Sequence, residues 1–185
     1  METVRRYRSE GRARFYRRHS LLTWLFSALI AVLILSILFL LWFKPLRVAD
    51  ASMEPLLYQG EAVLADRLGK FVKRPGRGDV VLFTDPQGNM LLKRIIALPG
   101  ERVEIVAGQV YIDSRLLDES AYSARQFPED MEPVTVPQGC VFLMGDNRAY
   151  VRDSRSEDIG CVAFEALDGV LRFRIFPAGK VTFYY

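Results

Sequence analysis

Met90-Leu91-Leu92-Lys93-Arg94-Ile95-Ile96-Ala97-Leu98 reads as one β-strand with a single lysine set among apolar residues. Short apolar, β-branched runs closed by turn formers are the signature of strands. The same pattern extends outward in both directions. Ala62–Ala65 and Asp79–Phe83 precede it; Arg102–Val106 and Gln109–Asp113 follow, joined by Ala107-Gly108 as a hairpin turn. Pro133–Val136, Cys140–Met144, Val170–Phe176 and Val181–Tyr184 continue the series, and no sustained 3.6-residue period interrupts it. Residues 44–185 are therefore expected to form one mainly β domain of coiled antiparallel sheets or a β-barrel-like closure. The polar, Pro-punctuated stretch Asp118–Glu132 reads as a surface loop.

The N-terminal part has a different character. Leu21 to Phe43 carries no charge, with Trp24 and Trp42 near its ends. A helix of about 20 apolar residues crosses a bilayer, and tryptophan favours the headgroup zone. Of the chain's 25 basic and 22 acidic residues, residues 1–20 hold seven arginines and two acids, Glu2 and Glu10, a net of +5. The remainder holds 18 and 20, a net of −2. The expected organisation is a basic cytoplasmic arm (1–20), a transmembrane signal anchor (21–43) and an extracytoplasmic domain (44–185), oriented by the positive-inside rule. The lipid bilayer is thus the first expected partner, and the arm also touches anionic lipid. Ala49-Asp50-Ala51 has the small-x-small form of a signal-peptide cleavage site, but the apolar run exceeds the 7–15 residues of a cleavable core, which favours an uncleaved anchor. A β domain without basic excess is not expected to bind nucleic acid.

Few residues outside the anchor suit chemistry. The only histidine, His19, precedes the apolar run, so no Ser-His-Asp triad is available to the β domain. Ser52, in Ser52-Met53-Glu54-Pro55, stands a short tether beyond the anchor. It is a turn or cap residue on one reading and a nucleophile for membrane-bound substrates on the other. Met53 packs in a core, dips into lipid or lines a pocket. Lys93 shares a strand face with Leu91, Ile95 and Ala97, while Arg94 points the other way, to solvent or a carboxylate. On a sheet edge Lys93 would snorkel; among apolar neighbours it would lose its proton and serve as a base. Gly145-Asp146-Asn147-Arg148 and Asp153-Ser154-Arg155 read as a strand end followed by a rigid loop. There Gly145 permits close backbone approach, and Asp146, Arg148, Asp153 and Arg155 pair their charges. Arginines beside both aspartates keep them ionised, the wrong state for an aspartyl dyad. Arg77-Gly78-Asp79 is read as a turn entering a strand and Gly76-Arg77-Gly78 as no nucleotide loop. Cys140 and Cys161 form a disulfide or remain buried thiols; no His/Cys cluster has metal-ligand spacing, and no cofactor is expected.

Taken as an ordered set, these motifs resemble bacterial type I signal peptidases of the Ser-Lys kind. The match runs through Ser52–Pro55, Arg77–Val81, Lys93–Gly100, Gly145–Arg148 and Asp153–Arg155, after one membrane anchor as in the compact Gram-positive form. The resemblance implies a hydrolase that removes signal peptides from exported preproteins, with the secretion translocon as a candidate partner. It assigns Ser52 as nucleophile, Lys93 as general base and the Ser52 backbone N–H as an oxyanion donor. Met53, Asp146, Asn147, Arg148, Asp153, Ser154 and Arg155 support the site, and small apolar pockets select short residues such as alanine. Two positions depart from the family pattern. Asp50 stands where some relatives carry a serine that assists the oxyanion, and Val151 stands where relatives often carry a serine that orients the lysine. Those departures leave two further functions open: a peptidase dedicated to one substrate such as a pilin, and a silent membrane-tethered assembly module.

Overall fold

A computed structural model describes residues 2–123 and 130–177, with side chains from Leu21 onward. The expected strand at Val181–Tyr184 lies outside the described residues. Two compact units divide at Leu41/Trp42. The first is made by helix α1, Glu2–Trp42, all but its last residue, and the helix's stretch Leu21–Trp42 is long and apolar enough to cross a membrane. Every residue of that stretch is exposed, as expected of a surface that faces lipid rather than a protein core. The helix also takes in the basic arm as one continuous element, and β1 follows it directly from Phe43.

The second unit is β-rich. Its strands are β1 (Phe43–Arg47), β2 (Ala62–Asp66), β3 (Val80–Thr84), β4 (Met90–Ala97), β5 (Arg102–Val106), β6 (Gln109–Ile112), β7 (Arg115–Leu116), β8 (Met131–Thr135), β9 (Cys140–Met144), β10 (Val162–Ala163) and β11 (Leu167–Phe176). A single turn of helix, α2, covers Gly69–Val72. Seven strands form one antiparallel sheet in the order β1-β2-β11-β3-β4-β9-β10, and four form a second in the order β7-β6-β5-β8. The mainly β, antiparallel expectation holds. The larger sheet runs openly between its edges, β1 and β10.

The central strands are continuous apolar runs because both faces are covered. Val80 and Leu82 enter one cluster with Val48, Met53, Leu57, Val63 and Leu92. Val81 and Phe83, pointing oppositely, enter another with Leu91, Ile95, Leu143 and Val170. A third cluster joins the sheets through Ile96, Ala97, Val103, Val110 and Phe142. Ala97 leaves the Leu91–Ile95 face expected for it because the β4–β9 register shifts between Ile95 and Ala97. The β5–β6 turn is as read: Ala107 and Gly108 both adopt positive φ, 49° and 72°, which a two-residue hairpin of matching twist requires.

Strands β1, β7 and β10 escape sequence reading. Phe43–Arg47 holds a lysine, a proline and an arginine, and proline is tolerated because β1 is an edge strand. β1 and the buried Val48 both precede Ala51 and belong to the folded domain. Cys140 and Cys161 are both free, half-buried thiols.

Candidate active site

Lys93 occupies the middle of β4, a central strand flanked by β3 and β9. Its side chain has 0% exposure, so it does not snorkel from an edge. Val81 lies directly opposite on β3, and the neighbours on that face, Leu91 and Ile95, are also buried. A lysine in such surroundings loses hydration that favours the ammonium. Burial pushes the Lys93 amine below the ordinary lysine value; the carboxylates of Asp50, Asp153 and Asp146 oppose that shift, while Arg155 reinforces it.

Ser52 is 2% exposed and sits in a tight turn that follows β1 and Val48. It caps no helix. Its Oγ is hydrogen-bonded by Lys93 Nζ at 2.5 Å, 41 residues away in sequence. The turn is held from two sides. Glu54 N–H donates to the Ala51 carbonyl and Leu57 N–H to that of Met53. From the loop after β9, Asn147 N–H donates to the Ser52 carbonyl at 2.9 Å, and Asn147 Nδ2 donates to the Ala51 carbonyl at 3.2 Å. Gly145 lets these backbones meet: a Cβ there would stand 2.6 Å from the Ser52 carbonyl oxygen, a distance no methyl group tolerates.

The charged loop is braced, but with different partners from those expected. Arg94 Nε and Nη2 donate to the two Asp146 oxygens at 2.7 and 2.6 Å, and Arg94 Nη1 donates to the Gly78 carbonyl. The Arg94 guanidinium also lies 4.3 Å from the Tyr122 ring centre. Burial pushes the Asp146 carboxyl up, against the pull of Arg94. Arg148 bonds the Gly145 carbonyl and the Glu119 carboxylate. Arg155 grips both oxygens of Asp153 and reaches the Arg148 and Tyr150 carbonyls. Asp153 accepts from Gly145 N–H, and Ser154 Oγ accepts from Leu143 N–H. The four charges thus form three pairs, two of them recruiting Arg94 and Glu119. Arg94 was read as reaching solvent or a carboxylate, and it takes the carboxylate. Glu119 carried no signal, because only the tertiary structure brings it to Arg148, 29 residues away.

Two positions that depart from the family pattern also bear on the site. The Ser52 backbone N–H, assigned as an oxyanion donor, donates to Asp50 Oδ1 at 2.9 Å. Val151 is 39% exposed. Among the described residues, the one hydrogen bond recorded for Lys93 Nζ goes to Ser52 Oγ. Met53 packs in the core and also lines, with Ala49, Asp50, Leu91 and Leu92, a cavity of about 10 Å³ beside the serine. That space holds little more than a water or methyl group.

Chemically, this is a buried hydroxyl beside a buried amine whose charged form is disfavoured, on a turn fixed by a second loop. Such a pair can transfer a proton from oxygen to nitrogen as the oxygen attacks an electrophile.

The sequence aligns with known proteins over most of its length. A family model described as signal peptidase, peptidase S26, matches residues 21–176. Signal peptidase I S of Bacillus subtilis is 31% identical over 175 residues, covering 89% of this chain and 94% of its own. Signal peptidase I of Bacillus licheniformis is 30% identical with the same coverage. Probable signal peptidase I-1 of Synechocystis is 34% identical over 146 residues, covering 74% and 73%. A crystal structure of a signal peptidase I from Enterococcus faecalis, 34% identical, aligns with a TM-score of 0.46 over 54% of this chain and 97% of that one.

Proposed function

The chain belongs to the signal peptidase family, peptidase S26, and from that membership we propose that Ser52 and Lys93 are the nucleophile and general base of its reaction. The protein is a membrane serine endopeptidase that removes signal peptides from preproteins. The observation that carries the residue assignment is the 2.5 Å contact between Ser52 Oγ and a fully buried Lys93 Nζ.

Ser52 Oγ attacks the scissile carbonyl as neutral Lys93 takes its proton. The C=O π pair moves to oxygen, giving a tetrahedral oxyanion. Its collapse breaks the C–N bond, and the Lys93 ammonium protonates the leaving amine. Lys93, neutral again, then takes a proton from water as it attacks the acyl-serine, and the ammonium formed returns a proton to Oγ. Met53 and the confined space at Ala49 and Leu91 favour a short side chain next to the scissile bond. Gly145, Asn147 and Ser154 position the serine turn and the end of β9. The pairs Arg94–Asp146, Arg148–Glu119 and Arg155–Asp153 keep that loop in one conformation.

The membrane anchor is residues 21–43, with the arm in the cytoplasm and the domain from residue 44 outside; the arginine excess before the span supports this orientation. The domain meets lipid, and it receives preproteins as they leave the translocon. The loop after β2 supports the lipid contact. Arg67 N–H donates to the carbonyl of Trp42, the last residue of α1, so the loop begins beside the chain's entry into the domain. It then exposes Phe71 (77%) and Val72 (86%) between Lys70, Lys73 and Arg74.

The test is cleavage of a preprotein by the full chain in detergent micelles. Ser52→Ala and Lys93→Ala are each expected to abolish cleavage while the circular dichroism spectrum of the β domain persists. Full cleavage by folded Lys93→Ala would remove lysine from the mechanism. Precursors that accumulate on depletion distinguish broad processing from a single dedicated substrate.

A further inference from the structure

The aspartate at position 50 does more than depart from a pattern. Its Oδ1 accepts the Ser52 backbone N–H at 2.9 Å, two residues along the chain. That N–H belongs to the nucleophile itself, where a donor to the oxyanion of acyl transfer has to lie. A donor has one hydrogen, so it cannot serve a carboxylate and an oxyanion at full strength together. An ionised carboxylate next to an oxyanion also repels it. The turn cannot resolve the conflict by moving Ser52, because Asn147 and the close approach of Gly145 fix its carbonyl side. Asp50 is half-exposed and lines the small cavity beside Ser52, so its side chain is the part free to move.

We propose that Asp50 competes with substrate for the Ser52 N–H: its carboxylate occupies the donor in the free enzyme and has to swing away as the acyl-transfer oxyanion forms. Asp50 is thus a gating residue of this active site, and the inference rests on Ser52 being the nucleophile. The same carboxylate favours the Lys93 ammonium, ahead of Asp153 and Asp146 and against Arg155. The other charged group lining its cavity is Arg47, whose guanidinium bonds the Gly60 carbonyl. Loss of the Asp50 charge therefore leaves Lys93 neutral down to lower pH.

Two substitutions separate the two effects. Asp50→Ala removes both the acceptor and the charge; Asp50→Asn keeps an acceptor oxygen and removes the charge alone. Cleavage of a preprotein by the full chain in micelles is measured as kcat/KM against pH, with thermal melts to verify folding. In both variants the acid limb is expected to move to lower pH. At the pH optimum, Asp50→Ala is expected to gain kcat/KM, on the order of tenfold, short of a whole oxyanion donor because the carboxylate of the parent can swing aside. Asp50→Asn should gain less. A 13C-lysine titration of Lys93, performed in the Ser52→Ala background with and without Asp50→Asn, reads the charge effect without turnover. A folded Asp50→Ala protein whose kcat/KM is unchanged or reduced overturns the proposal, and so does a Lys93 titration that ignores Asp50. Parent activity that survives Ser52→Ala would instead refute the nucleophile assignment, a distinct result.

Discussion

The base proposed here, Lys93, has to be held neutral, and in this fold the holding is done by burial, which opposes folding. An unfolded lysine keeps its proton up to about 10.4. Folded Lys93 gives it up at lower pH because the ammonium is stripped of water. Between those two values the unfolded chain binds the extra proton, so stability rises with pH across that window. The stability is complete above the unfolded value and is lost as pH falls through the folded one. Replacing both partners of the Ser52–Lys93 pair with apolar groups, as in Ser52→Ala combined with Lys93→Met, avoids leaving either polar group stranded. This double variant is expected to be inactive yet more stable than the parent at pH 7, by about 1–3 kcal/mol. Denaturant melts of the two proteins from pH 6 to 10 provide the check: the gap should narrow as pH climbs toward the ordinary lysine value. A gap that stays constant, or a less stable variant, would mean the amine is not held neutral. The two residues were legible in sequence for a physical reason. A lone lysine in an apolar strand is costly, and a serine just beyond an anchor is well placed, so each feature demanded an explanation. Asp50 was legible only as a conflict, because its hydrogen bond to Ser52 N–H depends on turn geometry that composition does not encode.

At the scale of elements, the site is the meeting of three pieces: the turn after β1, the middle of β4 and the loop after β9. The β4–β9 pairing sets their spacing, with Arg94 opposite Met144 and Ile95 opposite Leu143. Arg94 thereby reaches Asp146 just past the end of β9, in a bidentate, nearly dry ion pair. Removing one partner of a buried pair strands the other, at a cost of about 3–5 kcal/mol. Asp146→Ala is accordingly expected to destabilise the domain by that amount, and Arg94→Met added to it should recover most of the loss. Guanidinium midpoints of the parent, both single variants and the double variant form the cycle; additive losses would deny the coupling. The strands themselves were readable because apolar runs between turn formers are local signals. β1, β7 and β10 were not readable, since a proline-bearing edge and two-residue strands exist only through their partners. The Arg148–Glu119 pair was hidden for the same reason: it joins residues 29 apart through a loop that looked merely solvated.

For the whole molecule, the sequence divides a +5 arm and an apolar span from a β domain of net −2, and in the proposed topology that division puts the endopeptidase beside a membrane. An anchor alone confines the domain to the membrane's vicinity. A docked loop would in addition hold the serine turn at a fixed height, since that turn follows β1 and the loop follows β2, the strand paired to β1. Exposed Phe71 and Val72 with Lys70, Lys73 and Arg74 alongside have the composition of an interfacial contact: apolar groups for the acyl boundary and cations for anionic headgroups. The single turn of α2 presents them while Lys70 Nζ bonds the Leu167 carbonyl, tying the loop to β11. Phe71→Ser combined with Val72→Ser should leave cleavage in detergent micelles near the parent level. In vesicles containing anionic lipid, the same variant should cleave a membrane-inserted preprotein several-fold more slowly, and the deficit should persist at high salt because it is apolar in origin. Replacing Lys73 and Arg74 with serine should give a deficit that grows as salt is lowered and the parent gains its electrostatic attraction. Equal rates for parent and variants in vesicles would show that the anchor by itself supplies all the membrane contact that cleavage requires.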